Sequence, residues 1–141
     1  MNVAYYLTPK SSVAYLYDDY TLRQGLEKMR HHGYTVIPVI DREGRYVGTV
    51  SEGDFLWKIL DSNMESASMK DMERLHVRDI VRWNRLPVRI TADKERILNA
   101  AMTQNFVSVV DDYDYFIGIV TRRDIMRYLT GQGQQKLPRQ E

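Results

Sequence analysis

Two short segments of the sequence, Ser51–Asp54 and Thr121–Asp124, combine residue types at a spacing that could do chemistry. Each places a hydroxyl residue three positions before an aspartate, which is the pattern of a capping box at a helix start. In the second segment, Arg122 and Arg123 stand between the two capping residues. Cations are unfavourable near the positively polarised start of a helix unless an anion binds there. The second segment therefore predicts a phosphate-binding helix start; alternatively, both arginines face solvent or pair with nearby aspartates.

These segments belong to a longer internal repeat. Val47–Leu56 and Ile117–Met126 share the pattern apolar-Gly-x-Val-Ser/Thr-x-x-Asp-apolar-apolar, at an offset of 70 residues. Further upstream, Val3–Pro9 resembles Val77–Trp83. Such a repeat predicts two copies of one supersecondary unit.

Each copy has the elements needed to position a helix start. A short extended piece is followed by an amphipathic helix, then by two apolar strands joined by a turn, and then by a last helix. In the first copy Leu22, Leu26 and Met29 fall on one face of the first helix. The continuous apolar strands indicate sheets covered on both faces. The predicted fold class is α+β (α/β), with two tandem β-α-β-β-α units.

The composition excludes several classes of function. Hydrophobic residues make up 43% of the 141 residues, and the formal net charge is only +1. Bulk charge therefore does not indicate binding to nucleic acid or to a membrane surface. No cysteine is present, which excludes disulfides and thiolate metal sites. Because the N-terminus lacks signal-peptide features and the apolar runs are short, we expect a cytoplasmic protein without a membrane span.

The sequence offers no convincing catalytic or metal-binding group. His31 and His32 are adjacent and do not face one site on a helix, and His76 is distant. Ser51 and Thr121 have no histidine nearby in sequence that could activate them. No Walker loop, dinucleotide fingerprint or Gly-x-Ser-x-Gly motif occurs. We therefore predict no enzymatic activity, no metal site and no cofactor.

The chain divides into four predicted regions. The first repeat covers residues 1–62 and the second covers residues 77–130. Residues 63–76 are polar and are predicted to form a linker with a short helix. Residues 131–141 are rich in Gly, Gln and other polar residues, which predicts a flexible tail.

The repeated pattern resembles a tandem pair of CBS (cystathionine-β-synthase-type) domains. The segments that carry the resemblance are Gly33–Asp41, Gly48–Asp54 and Gly118–Asp124, and the likeness extends over residues 2–130. Two copies in the right order and spacing make it specific. The resemblance implies a pseudo-two-fold pair of repeats with two clefts between them. Each cleft would take its base-binding part from one repeat and its ribose-binding residues from the other.

The resemblance also implies which residues bind an adenine nucleotide. In one cleft, residues of the first repeat would contact the base. The Thr-x-x-Asp of the second repeat would bind ribose hydroxyls, and the two arginines would bind phosphates. These ligand-binding residues are Val13, Ala14, Tyr34, Thr35, Ile37, Pro38, Thr121, Arg122, Arg123 and Asp124. A possible second site in the other cleft comprises Ser51, Asp54, Val88, Phe106 and Val107.

The second cleft departs from the family pattern. Glu52 replaces an arginine and would repel phosphate, and Asn105 replaces a glycine. Pro38 has Ser108 or Val109 as its counterpart. We therefore expect nucleotide binding in the first cleft only. Pro38 itself predicts an edge or bulge of its strand, because proline cannot donate a hydrogen bond to a sheet.

Within the family, the chain looks closest to small stand-alone bacterial pairs that sense cyclic di-AMP (c-di-AMP); AMP, ADP or ATP would fit the same residues. The resemblance implies a non-catalytic regulatory module. It would bind an adenine nucleotide and signal to an unknown protein partner, without binding nucleic acid or a membrane. The alternative is a ligand-independent structural or interaction module, in which the capping boxes only cap helices.

A homodimer is also expected. Five of the ten tyrosines, Tyr5, Tyr6, Tyr15, Tyr17 and Tyr20, cluster near the N-terminus. Tyrosine is enriched at protein interfaces, so this cluster favours a dimer or partner face. CBS pairs usually dimerise through their helices. The candidate interface residues are Leu56, Ile59, Leu60, Ile125, Met126 and Leu129.

Overall fold

The structure, a computed structural model, describes residues 2–61, 69–82 and 85–131. The predicted flexible tail after Gly131 and the first half of the predicted linker lie outside these residues. The helices and strands, in chain order, are α1 (Val3–Tyr6), β1 (Thr8–Pro9), β2 (Leu16–Tyr17), α2 (Leu22–His32), β3 (Val36–Ile40), β4 (Tyr46–Ser51), α3 (Glu52–Asp61), α4 (Met69–Met72), β5 (Val88–Arg89), α5 (Lys94–Thr103), β6 (Phe106–Val110), β7 (Phe116–Thr121) and α6 (Arg122–Leu129).

The chain folds into two compact units, each with its own hydrophobic core. The first-repeat unit is Ala14–Arg85, and the second-repeat unit joins Met1–Val13 to Leu86–Glu141. Each unit contains a short strand, a helix, two strands and a helix in that order. The prediction of a mixed α and β protein with two such repeats is confirmed. Among the described helices, none combines the length and the apolar character needed to cross a membrane.

The first-repeat unit contains a three-stranded sheet with the order β2-β3-β4. β2 runs parallel to β3, and β4 runs antiparallel to it. Asp41 closes the turn between β3 and β4, because its carboxylate accepts hydrogen bonds from the N–H groups of Glu43 and Arg45 at 3.0 and 2.9 Å. The turn joins the two long strands, and α3 begins directly after β4 ends at Ser51.

α2 buries the apolar face that the sequence predicts. Leu22 and Met29 are buried, and Leu26 packs against the same core. The helix begins with a capping box between Thr21 and Gln24. It ends at Gly33, which adopts the left-handed conformation with φ of 71°.

The second-repeat unit contains a four-stranded sheet with the order β1-β7-β6-β5. β6 and β7 are antiparallel, and β5 runs parallel to β6. α5 buries Ile97, Ala100 and Ala101 against the core of this unit, and α6 contributes Ile125. In the order of elements along the chain, α5 and α6 correspond to α2 and α3 of the first-repeat unit.

The N-terminal segment belongs to the unit of the second repeat. β1 pairs antiparallel with β7, and Thr8 lies opposite Ile119. Val3 and Tyr6 of α1 are buried in the core of that unit. The first thirteen residues therefore complete a unit whose other residues follow much later in the chain.

The similar segment at the start of the predicted second repeat, Val77–Trp83, belongs to the first-repeat unit. Val77 and Val81 are buried in its core. The N–H of Arg82 donates to the carbonyl of Thr49 at 2.9 Å. Trp83, the last residue of that segment, lies outside the described residues. Each unit thus has the same strand-edge arrangement, with Thr8 and Arg82 at equivalent places beside β7 and β4.

Two glycines permit the close approach of these segments. A Cβ at Gly118, whose φ is +152°, would lie 2.1 Å from the carbonyl oxygen of Thr8. A Cβ at Gly48 would lie 2.8 Å from the carbonyl oxygen of Arg82. Only glycine leaves room for a backbone at this distance. The glycine of the repeated motif is therefore explained by packing.

Candidate functional site

The two hydroxyl–aspartate segments form capping boxes at the starts of α3 and α6. The N–H of Ser51 donates to Asp54 Oδ2 at 2.8 Å, and the N–H of Asp54 donates to Ser51 Oγ at 3.2 Å. The corresponding distances for Thr121 and Asp124 are 3.4 and 3.2 Å. Both aspartates therefore have a structural task. A carboxylate offers about four lone-pair positions, so capping leaves it able to accept further hydrogen bonds.

Arg122 makes a contact that the sequence analysis missed. Its Nε and Nη2 donate to the carbonyl of Ala101 at 3.2 and 2.9 Å, and its Nη2 also donates to the carbonyl of Gln104 at 3.0 Å. The guanidinium therefore satisfies carbonyl groups at the end of α5, where a cation is also favoured by the helix dipole. The sequence held a signal for this contact. Residue Asn105 replaces the glycine that ends the other helix, so α5 needs a different donor.

The end of α2 is built differently. The N–H of Gly33 donates to the carbonyl of Arg30 at 3.3 Å, and the N–H of Tyr34 donates to the carbonyl of Met29 at 3.1 Å. These backbone donors replace the arginine side chain that α5 uses. Glu52 occupies the position of Arg122, and a groove of about 480 Å³ remains open. The groove is lined by Leu26, Met29, Arg30, Gly33, Tyr34, Thr35 and Glu52.

Arg123, like Arg122, is exposed at the start of α6. Its side chain forms no hydrogen bond or ion pair with any residue in the described ranges. It lies beside Thr121 at the positively polarised helix start, where an anion would be stabilised by both groups. Of the two predicted phosphate ligands, Arg123 is thus the one whose guanidinium is not already bonded to a helix end.

The carboxylate of Asp54 is paired with arginine. Arg82 Nε donates to Asp54 Oδ1 at 2.7 Å, and Arg85 Nη1 lies 3.8 Å from Oδ2. Arg85 also donates to the hydroxyl of Thr49 at 3.1 Å. The Asp54 side chain is only 4% exposed, so these cations compensate a buried negative charge. Neither arginine could be recognised from the Ser51–Asp54 segment, because both lie outside it.

Asp124 has a different environment. Its side chain is 2% exposed, and Arg127 Nη1 lies 4.0 Å from its Oδ1. Tyr6 of α1 lies close to it. Burial raises the pKa of the Tyr6 phenol, and the charges of Tyr5, Tyr128 and Asp124 raise that pKa further. Tyr6 therefore remains protonated at neutral pH, and its position beside Asp124 was not foreseen from the sequence.

The predicted base-contacting residues divide between the units and differ in accessibility. Tyr34 is half-buried and Thr35 is exposed, and both line the groove at the end of α2. Ile37 is fully buried in the first-repeat core, against which Ala14 packs. Val13 is buried and belongs to the second-repeat unit. The structure thus places Tyr34 and Thr35 at one groove and gives Ile37 the role of a core residue.

Pro38 lies in β3, the central strand of its sheet, yet the edge expectation holds locally. β2 pairs only with Val39 and Ile40, so at Pro38 the strand has its partner, Thr49, on one side only. Ser108 has the same place in β6, opposite Ile119. The register therefore decides that Ser108, and not the next residue, is the counterpart of Pro38.

The remaining residues of the possible second site lie in the second-repeat unit. Val88 and Val107 are buried members of its core. Phe106 is half-buried at the start of β6, opposite Thr121. Ser108 is fully buried, and its hydroxyl has no hydrogen-bond partner in the described part of the chain. The side chains of Val88 and Val107 thus serve the core of their own unit.

A family model of the CBS domain matches residues 5–61 and 77–131. The chain belongs to the CBS domain family. Both matched stretches contain one hydroxyl–aspartate segment each, in agreement with the repeat that the sequence predicts. A comparison with curated protein sequences found no match.

Several solved structures share this CBS-pair fold. The CbpB protein of Listeria monocytogenes in complex with c-di-AMP is 26% identical, with a TM-score of 0.82, covering 96% of this chain and 100% of that one. A hypothetical conserved protein of Geobacillus kaustophilus is 27% identical, with a TM-score of 0.82 and coverage of 94% and 98%. Another CbpB complex with c-di-AMP is 23% identical, with a TM-score of 0.84 and coverage of 96% and 88%; it supports the fold alone.

The N-terminal tyrosines divide between the two CBS units. Tyr15, Tyr17 and Tyr20 form edge-to-face contacts in the first-repeat unit, with ring centroids 5.7 and 5.5 Å apart. Arg42 stacks 4.0 Å above Tyr17 and binds the carboxylate of Asp19 through two hydrogen bonds of 2.8 and 2.9 Å. These bonds hold the pKa of Asp19 below its usual value. Tyr5 and Tyr6 belong to the second-repeat unit. The five tyrosines that are close in sequence are therefore divided into two groups, one in each unit.

The last helix of each CBS repeat exposes an apolar row. On α3, Leu56, Trp57 and Leu60 are 57%, 59% and 58% exposed. On α6, Met126 and Leu129 are exposed to a similar degree. Ile59 is half-buried. One expected interface residue is corrected: Ile125 is buried in the core of its unit and does not belong to the exposed row.

Proposed function

We propose that this CBS pair is a regulatory sensor of an adenine nucleotide, with c-di-AMP as the first ligand to test. The observation that carries the proposal is the c-di-AMP complex of the Listeria monocytogenes CbpB, to which the chain is similar over 96% of its length at 26% identity. The capping box of Thr121 and Asp124 and the groove beside Tyr34 support the same conclusion.

The residue roles in the proposed site follow from chemistry. Thr121 and Asp124 accept hydrogen bonds from ribose hydroxyls, since both are oxygen acceptors at the start of α6. Arg123 binds phosphate, because its exposed guanidinium stands at a helix start. Arg122 can bind phosphate only if its guanidinium gives up its hydrogen bonds to the carbonyls at the end of α5. Tyr34 supplies an aromatic face for the base. The other base contacts of the proposed site are Val13, Ala14, Thr35 and Pro38, and the buried Ile37 supports them only by packing in the core.

The chain acts without catalysis in this proposal. Nucleotide binding changes its affinity for a partner protein in the cytoplasm, and a homodimer forms through the exposed apolar rows of α3 and α6. Burial of such a row stabilises association by removing apolar area from water, at about 25 cal/mol per Å². No sequence feature identifies the partner, and binding to nucleic acid or to membranes is not part of the proposal.

One experiment tests the ligand. Thermal unfolding is followed with c-di-AMP, AMP, ADP, ATP and S-adenosylmethionine, for the wild type, Arg123→Ala and the surface control Arg74→Ala. A ligand at 100 times its Kd adds about 2.7 kcal/mol to the stability of the folded chain. We expect one adenine nucleotide to raise the melting temperature of wild type and control, and to raise that of Arg123→Ala far less.

A second function is favoured by one observation. Because Arg122 is bonded to α5 and both aspartates cap helices, these motifs also make sense without a ligand. The chain would then be a ligand-independent interaction module. Melting curves that no nucleotide shifts would support this second function and would contradict the sensor.

A further inference from the structure

The aspartates of the two repeats differ in the residue that stands beside them on the neighbouring segment. In the first-repeat unit this residue is Arg82, which bonds to Asp54 at 2.7 Å. In the second-repeat unit the equivalent place, beside β7, is held by Thr8. A threonine side chain cannot form an ion pair. Asp124 instead lies 4.0 Å from Arg127, a residue of its own helix. The two carboxylates are therefore paired with cations from different parts of their units.

Arg82 is held in place by its own backbone. Its N–H donates to the carbonyl of Thr49 at 2.9 Å, and its carbonyl passes so close to Gly48 that a Cβ there would lie only 2.8 Å away. The side chain leaves this fixed backbone and reaches Asp54 at a short, charge-assisted distance. Arg85 adds a second cation at 3.8 Å. The pairing is thus a property of the fold of this unit.

Arg82 binds the carboxylate oxygen that the capping box leaves open. Asp54 Oδ2 accepts from the N–H of Ser51, and Oδ1 accepts from Arg82. A polar groove of about 300 Å³, lined in part by Asp54 and Arg82, opens next to the pair. A sugar hydroxyl that reached Asp54 would compete with a cation for a buried carboxylate, and a neutral donor binds a carboxylate more weakly than a guanidinium does.

We propose that Arg82 withholds Asp54 from ribose and so determines that the chain has one nucleotide site and not two. Arg82 is a specificity-determining residue that acts by occupying the carboxylate. The inference rests on the proposed function of the Thr121–Asp124 segment. It differs from the repulsion of phosphate by Glu52, because it concerns the sugar and a residue outside the motif.

The test counts ligands per chain. Isothermal titration with c-di-AMP, and separately with AMP, is made on the wild type, on Glu52→Gln and on Glu52→Gln/Arg82→Thr. The Glu52→Gln substitution removes the negative charge that would repel phosphate in every variant compared. Threonine replaces Arg82 because Thr8 holds the equivalent position in the second-repeat unit. Glu52→Gln/Arg74→Thr is the matched control, since Arg74 is exposed and its side chain forms no hydrogen bond or ion pair within the described residues.

We expect one ligand per chain for the wild type, Glu52→Gln and the control, and one more for Glu52→Gln/Arg82→Thr. Adding Asp54→Asn to the last variant should abolish the gained binding. Equal stoichiometry with and without Arg82, or two ligands on the wild type, would overturn the inference. A wild type that binds neither c-di-AMP nor AMP, and also neither ADP nor ATP, contradicts the proposed function. A site gained by the Arg82 variant would still support the inference in that case, and its absence would overturn it.

A reciprocal variant keeps the inference testable if the loss of Arg82 unfolds the chain. Thr8→Arg places a guanidinium at the equivalent position beside Asp124, and Thr8→Gln adds a neutral side chain of comparable length. We expect Thr8→Arg to weaken nucleotide binding at least tenfold more than Thr8→Gln does. Equal affinity of the two variants would overturn the inference.

Discussion

The ends of α2 and α5 show how two CBS repeats with one fold come to differ in chemistry. α2 ends at Gly33, whose left-handed conformation lets backbone donors satisfy the helix end, and a groove beside Glu52 stays open. α5 ends without glycine, and the side chain of Arg122 satisfies its carbonyls. Two exchanges therefore act together: Glu52 in place of Arg122 changes the charge of the site, and Gly33 in place of Asn105 changes the way the neighbouring helix ends.

The two units also differ at the glycines that lie against Thr8 and Arg82, Gly118 and Gly48. Substitution of these glycines is expected to have the largest effect on stability. Gly118→Ala should destabilise the chain by about 3 kcal/mol or more, because its Cβ would overlap the carbonyl of Thr8 and its φ is unfavourable for alanine. Gly48→Ala should cost about 1–2 kcal/mol, since the overlap is smaller. Urea unfolding measures both. Equal losses would show that the two crossings are equally tight.

The second largest effect on stability is expected from replacing the two capping aspartates, Asp54 and Asp124. Asp54→Ala leaves Arg82 without its partner and removes the cap of α3, which we expect to cost about 2–3 kcal/mol after allowance for the half-exposed guanidinium. Asp124→Ala should cost about 1–2 kcal/mol, because its ion pair is long, at 4.0 Å. The free energy of unfolding in denaturant is the measurement. A larger loss for Asp124→Ala would contradict the comparison.

Substitutions of Arg122 and Glu52 test the difference between the two helix ends, with smaller expected changes in stability. Without ligand, Arg122→Ala should lower stability by about 1 kcal/mol through lost hydrogen bonds to α5. Glu52→Ala should cost only about 0.3 kcal/mol, from the helix dipole. Arg123→Ala serves as the matched control and should leave stability unchanged. If Arg122→Ala and Arg123→Ala unfold alike, the contact with α5 contributes nothing.

The smallest effect has the opposite sign. The buried hydroxyl of Ser108 has no partner among the described residues, so Ser108→Ala should stabilise the chain by up to about 1 kcal/mol. Thr103→Ala, at an exposed helix end, is a control with little expected change. Denaturant midpoints compare the two. A destabilised Ser108→Ala would indicate that the hydroxyl makes a bond in solution.

Much of the fold could be predicted from the sequence because its determinants are local. The apolar periodicity of Leu22, Leu26 and Met29 fixes the buried face of α2, and the hydroxyl–aspartate spacing fixes two helix starts. The repeat itself indicates that both halves share one fold. These signals depend on neighbours within a few residues, which a single sequence displays directly.

The chemistry of the candidate site was less predictable because it depends on distant partners. Arg82 lies 28 residues from Asp54, in a repeated segment whose likeness to Val3–Pro9 does not show what its side chains contact. Tyr6 approaches Asp124 from the other end of the chain. Arg122 is a ligand candidate by its position, but its contact with α5 depends on how that helix ends. Tertiary contacts of this kind leave no periodic pattern, so the sequence could not assign them.

The pairing of β1 with β7 has a consequence for synthesis and for truncation. Thr8 pairs with Ile119, so β1 is synthesised well before β7 and cannot find its partner strand until β7 has been made. The second-repeat unit is therefore a late-forming product, closed by a loop that spans most of the chain. A protein expressed from Ala14 onwards would keep every residue of the first-repeat unit but would lack a strand and a helix of the second.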